Sequence, residues 1–127
     1  MDILVPVGRA LFAMLFIVSG VSHLTQHGGM TQYARQKGVP APGIMVLVSG
    51  VMLLVGGFSV LLGYRVDIGG LILFAFLVPT ALLMHSFWKE ADPMQKAVEM
   101  AHFMKNLALA GGALLLAYFG GGPYSLG

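Results

Sequence analysis

The chain has 127 residues, of which 57 % are apolar and only 9 % charged, with a formal net charge of +2 and no cysteine. A mean hydropathy of +0.86, set against the roughly 25 % of charged residues in an ordinary soluble domain, excludes a polar shell in water, so the outer surface must face lipid. The missing thiols exclude disulfides, thiolate metal sites and cysteine nucleophiles. The seven Lys and Arg residues are scattered singly, which excludes a nucleic-acid stripe.

The first predicted element is the apolar block 3–21, "ILVPVGRALFAMLFIVSGV". It lacks the basic leader and small-residue cleavage site of a secretory signal, so it is expected to be a retained membrane span. Arg9, Phe16, Gly20 and His23 fall on one stripe, within about 40° of Arg9 on a 3.6-residue wheel. Arg9 and His23 therefore mark opposite membrane ends of one face, with Gly20 turned to the bundle. For Arg9 the expectation is snorkelling to the N-terminal surface.

A polar stretch of roughly twenty residues follows, "SHLTQHGGMTQYARQKGVPAP", read as a loop because Gly-Gly and Pro-Ala-Pro act as breakers. The second span is 43–63, the tight "GYRVD" joins it to the third at 66–87, and the fourth covers 102–119. Each block is about 20 residues long, enough at 1.5 Å per residue to cross a hydrocarbon core of about 30 Å. Backbone groups in lipid must be satisfied within the segment, so each is a helix. In the third span Pro79 removes the usual donor to the Ala75 carbonyl and is expected to kink the helix. Before the fourth, Asp92-Pro93 with Gln95 reads as an N-cap with a capping-box partner, so an amphipathic turn precedes the lipid-embedded part. The ending "GGGPYSLG" stops the last helix and leaves a short tail. The result is an all-α, integral-membrane four-helix bundle forming one domain over 1–127. The pairs Gly56-Gly57, Gly69-Gly70 and Gly111-Gly112 are expected at helix–helix contacts, where small residues let backbones approach.

Four spans put both termini and the 63–67 turn on one side. His23, His27, His85 and His102 all fall at the other side, with Trp88, Lys105 and Asn106. His102, Lys105 and Asn106 share one helix face at i, i+3 and i+4. An anchoring role at the head groups competes with a site at His23, His27 and His85, and Trp88 and Lys89 read as anchors. Lys105 at the start of a span points to a partner or a polar cavity as much as to snorkelling. His85 is expected to approach Lys105 and Asn106 across the contact between the last two helices. No metal is expected, because "MAHFM" sets Met100 and Met104 opposite His102 on their helix. No haem is expected either, since the histidines sit at the membrane edge. Arg35, Lys37, Lys89, Lys96 and Lys105 outnumber Arg9 and Arg65, which points the histidine end to the cytoplasm.

The fragments "VGRALFAMLFIVSGVSHL", "YARQKGVPAP", "GGFSVLLGYRVDIGGLIL", "HSFW" and "HFMKNLALAGGALLLAYFG", in that order, resemble the DoxX family of small bacterial membrane proteins. The matching positions include Arg9, Gly20, His23 (where lysine is common), His85, Trp88, Lys105 and Asn106. The resemblance implies a multi-pass protein of the bacterial inner membrane and, for some members, quinone-coupled oxidation alongside a redox partner. Many relatives carry a glutamate a few residues before the Gly-Gly of the second span, where this chain has Met52, Leu53 and Leu54. The function expected on this basis is a quinone-linked redox accessory subunit, with the quinone head group at His23, His85, His102, Lys105 and Asn106. Imidazole exchanges protons near neutral pH, and Lys105 stabilises negative charge on the reduced ring. The chain supplies no redox centre of its own, so electrons come through a partner protein, and a second copy of the chain is a further candidate partner. The alternative is a non-enzymatic scaffold or a small-solute transport element built on the same polar cluster.

Overall fold

The computed structural model describes residues 2–127. Its elements are α1 (Leu4–Thr25), α2 (His27–Gln36), α3 (Pro42–Leu62), α4 (Val66–Met84), a 3-10 turn (Phe87–Lys89) and α5 (Pro93–Phe119). α1, α3, α4 and α5 are long and apolar enough to cross a membrane. Their outward faces carry Leu11, Val18, Val51, Leu71 and Leu115, all exposed, which is the surface that lipid rather than water requires.

Lipid supplies no hydrophobic drive between helices, so close backbone approach has to hold them together. Gly20 and Gly50 bring α1 against α3, where a Cβ on Gly50 would lie 2.9 Å from the His23 Cβ. Gly57 seats beside Ile17 and Phe16. Gly56 and Gly69 join α3 to α4 around Leu73 and Ser59, and Gly70 faces the Ala113 carbonyl of α5. The paired-glycine expectation therefore holds for Gly56, Gly57, Gly69 and Gly70. It is corrected at Gly111, which has open space where a Cβ would go, while Gly112 meets only the rim of Phe12. A wider α1–α5 seam explains this, because the main packing runs α1–α3–α4–α5. The buried core runs through Ala13, Phe16, Leu53, Val60, Leu73, Leu77, Ala110 and Ala113.

Two further expectations change. The twenty-residue loop contains α2, a ten-residue helix. Gly28 and Gly29 sit in its first turns, where nothing crowds them, and Ala34 is its buried residue. The third span runs Val66–Lys89, with α4 ending at Met84 and containing Pro79. Arg9 does not snorkel. It is 3 % exposed, and Nη2 donates to the Tyr124 carbonyl at 2.7 Å and the Pro123 carbonyl at 3.3 Å.

The C-terminal tail accordingly folds back rather than trailing away. The Leu126 and Gly127 amides donate to the Gly63 carbonyl, and the Arg65 amide donates to the Gly127 carbonyl. Gly63, at φ 69°, ends α3 in the left-handed conformation that glycine adopts without strain. Arg9 packs directly against it. The cap before α5 forms as expected, with the Asp92 carboxylate accepting from the Gln95 amide at 3.0 Å.

Candidate functional site

At the histidine end the four long helices and α2, which packs on α3, line one space. Between them is a cavity of about 370 Å³, a size at the lower end of ordinary small-ligand sites. Its walls are mainly apolar, from Phe16, Leu53, Phe76, Leu77 and Leu109, with Ala34 and Val39 at the α2 side. Its polar groups are few: Ser19 and His23 from α1, Ser49 from α3, Thr80 from α4, His85, and Lys105 and Asn106 from α5. Pro79 and Ala75, whose carbonyl the proline leaves without its usual donor, belong to the same wall.

The histidines divide into distinct roles. His23 Nδ1 lies 2.7 Å from the Ser19 carbonyl. A carbonyl can only accept, so Nδ1 carries the proton and Nε2 of the neutral ring is left as an acceptor. His27 Nε2 donates to the Gly43 carbonyl at 2.8 Å and ties α2 to the start of α3, outside the cavity wall. His85 lines the cavity, and its ring stacks on His102 with centroids 5.0 Å apart and planes 25° apart. His102 itself is exposed and does not line the cavity. Lys105 lines the cavity from a largely exposed position, whereas Asn106 is 5 % exposed. Trp88 is half exposed and meets Phe87 and Phe103 edge to face, away from the cavity. Arg9 lies at the opposite end of α1, bound to the tail.

His23, His85, Lys105 and Asn106 thus share one cavity, and His102 joins them through His85. His85 meets α5 through the ring of His102 and through a charged neighbour that the sequence reading passed over. His85 Nδ1 is buried without a hydrogen-bond partner, 3.7 Å from Oε2 of Glu99. The Glu99 side chain is 4 % exposed and accepts from Lys37 Nζ at 3.0 Å. Lys37 also lies 3.7 Å from Glu90 Oε1 and sits over the Tyr33 ring, 5.5 Å from its centroid. Burial works against the Lys37 ammonium. The Glu99 hydrogen bond, Tyr33 and the two carboxylates outweigh it and hold its pKa above the ordinary lysine value. One signal could have found Glu99. It lies seven residues before Asn106 and fourteen before Ala113, on the buried stripe of α5.

A family model described as DoxX matches residues 4–86. Two proteins of Escherichia coli (strain K12) are similar over nearly the whole chain. The inner membrane protein YqjF is 37 % identical over 125 residues, which cover 98 % of this chain and 90 % of that protein. The inner membrane protein YphA is 29 % identical over 126 residues, covering 98 % and 88 %. No solved structure matches.

Proposed function

The chain belongs to the DoxX family, and on that premise we propose that this multi-pass inner-membrane protein is a quinone-linked redox accessory, its cavity holding a quinone head group while a partner protein supplies or removes electrons. One observation carries the reading. A mainly apolar cavity of about 370 Å³ lies at the histidine end of the bundle, with both proton acceptors and donors in its wall. A quinone, when bound, contributes reversible two-electron, two-proton chemistry, which the chain's own side chains do not offer.

The residues present fit such a head group. Phe16, Phe76, Leu53 and Leu77 would cover its faces and exclude water. His23 Nε2, fixed as an acceptor by the bond of Nδ1 to Ser19, can take a hydroxyl hydrogen bond. The Asn106 amide and the Lys105 ammonium can donate to a carbonyl oxygen, and the lysine favours negative charge there. Ser49 donates to the Val46 carbonyl of its own helix at 3.0 Å, which commits its proton and leaves its oxygen as an acceptor.

Titration of a short-chain ubiquinone analogue into the protein in lipid nanodiscs tests this. His85→Ala and Lys105→Ala should each weaken binding by about tenfold or more, the worth of one good polar contact to a charged or polarised group. Trp88→Phe should leave binding unchanged, because Trp88 is outside the cavity. Equal affinity in the wild type and both alanine variants would rule out the cavity as the quinone site.

A further inference from the structure

The buried carboxylate of Glu99 takes no part in holding a head group, since it does not line the cavity. It lies 3.7 Å from His85, which does line the cavity. We propose that His85 and Glu99 form a proton path from the cavity to the aqueous end of the bundle. This serves the quinone reading above but is testable without any ligand.

Four observations carry it. His85 belongs to the cavity wall, and its Nδ1 is buried and unpartnered. That atom lies 3.7 Å from Glu99 Oε2, about 0.5 Å beyond the outer hydrogen-bond limit, so a small side-chain movement or one water closes the gap. The Glu99 carboxylate is almost fully buried, and its bound cation, Lys37, lies at the end of α2 with 17 % of its side chain exposed. Glu90, 28 % exposed and 3.7 Å from Lys37, marks where this charged group meets the aqueous side. The charged or titratable groups around His85 are thus Glu99, His102 and Lys105 on α5, with Lys37 of the α2 end and Glu90 of the connecting loop one step beyond.

The step balances as a proton transfer alone. A neutral His85 with its proton on Nδ1 accepts a proton at Nε2 from a donor in the cavity. Its Nδ1–H bond then breaks towards Glu99 Oε2, leaving a neutral imidazole and a neutral carboxylic acid. Glu99 then releases that proton to water, and the Lys37 ammonium beside it stabilises the carboxylate that this leaves. Rotation of the ring, followed by exchange of the Nε2 proton for one on Nδ1 through water, resets His85. No electron moves, and no bond other than N–H and O–H changes. Lys37 is a positioning residue here, because it orients the carboxylate without touching the transferred proton.

The test is exchange of the His85 ring proton with water, followed by NMR of histidine-labelled, ligand-free protein in lipid nanodiscs, the signal being assigned by its loss in His85→Gln. Glu99→Gln should slow exchange by at least about tenfold, in keeping with the removal of a positioned proton acceptor. Glu99→Asp should restore most of it, which a purely structural role of the side chain would not produce. If Glu99→Gln alone fails to fold, the double variant Glu99→Gln with Lys37→Gln removes both charges and should show the same slowing. Exchange in the folded double variant as fast as in the wild type would overturn the path. Glu99→Gln should also keep quinone-analogue affinity within about twofold, since the residue is outside the cavity wall. A wild type that binds no quinone would sink the functional reading, while the exchange rates would still decide the path.

Discussion

Replacing Lys37 by alanine is expected to destabilise the protein by about 3–5 kcal/mol, measured by unfolding in detergent. The magnitude comes from what is left behind. Glu99 is 3 % exposed and would lose its hydrogen-bond donor at 3.0 Å. The next group, His85 Nδ1 at 3.7 Å, lies beyond hydrogen-bond length. Removing both charges, as Lys37→Met with Glu99→Gln, should recover all but about 1 kcal/mol, because a buried pair roughly offsets its own desolvation. An equal loss in the single and double variants would mean that packing at α2, and not the orphaned carboxylate, sets the cost. The pH dependence adds a second check. The folded Lys37 pKa is raised, so its contribution is fully present below the ordinary value of 10.5 and is lost as pH rises through the higher folded value. Wild-type stability should show this loss in alkaline solution, and the double variant should not.

Gly70→Ala and Gly111→Ala make the same chemical change and should have opposite effects. At Gly70 the new Cβ would lie 2.6 Å from the Ala113 carbonyl oxygen and 3.1 Å from the Ala117 amide nitrogen. Both are backbone atoms of α5, so no rotamer relieves the clash and the helices must part, at a cost of about 1–3 kcal/mol. At Gly111 nothing lies within 4 Å. There alanine only improves helix propensity, and stability should rise by about 0.5–1 kcal/mol. Thermal melts of the two variants beside the wild type check this. Shifts of the same sign would show that helix contact does not distinguish the two glycines.

Much of the fold was legible because lipid leaves an apolar chain so few choices. A block such as 43–63 can satisfy its backbone only as a helix, and α3 spans Pro42–Leu62. The Asp92-Pro93 start of α5 was equally readable, because a cap is a local event. α2 was not, since what holds it is tertiary. His27 bonds the Gly43 carbonyl, Ala34 is buried and Lys37 reaches across to Glu99, and none of these is encoded within the ten residues themselves. Arg9 was misjudged for a related reason. Its stripe was read correctly, but its partners are carbonyls of a tail more than a hundred positions away. At the site, His23, His85, Lys105 and Asn106 announced themselves as polar residues in apolar surroundings. Glu99 was hidden in a stretch that read as interfacial, although its heptad relation to Asn106 placed it on the inner face of α5.

The central claim is that the cavity beside His85 receives a quinone head group, and photo-crosslinking with an azido-quinone in lipid nanodiscs tests it most directly. Adducts mapped by mass spectrometry should concentrate on the cavity-lining segments around His23, Phe76 and Lys105, and an excess of unlabelled short-chain ubiquinone should suppress them. Adducts spread over lipid-facing positions such as Leu11, Leu71 and Leu115, with no suppression by the competitor, would contradict it.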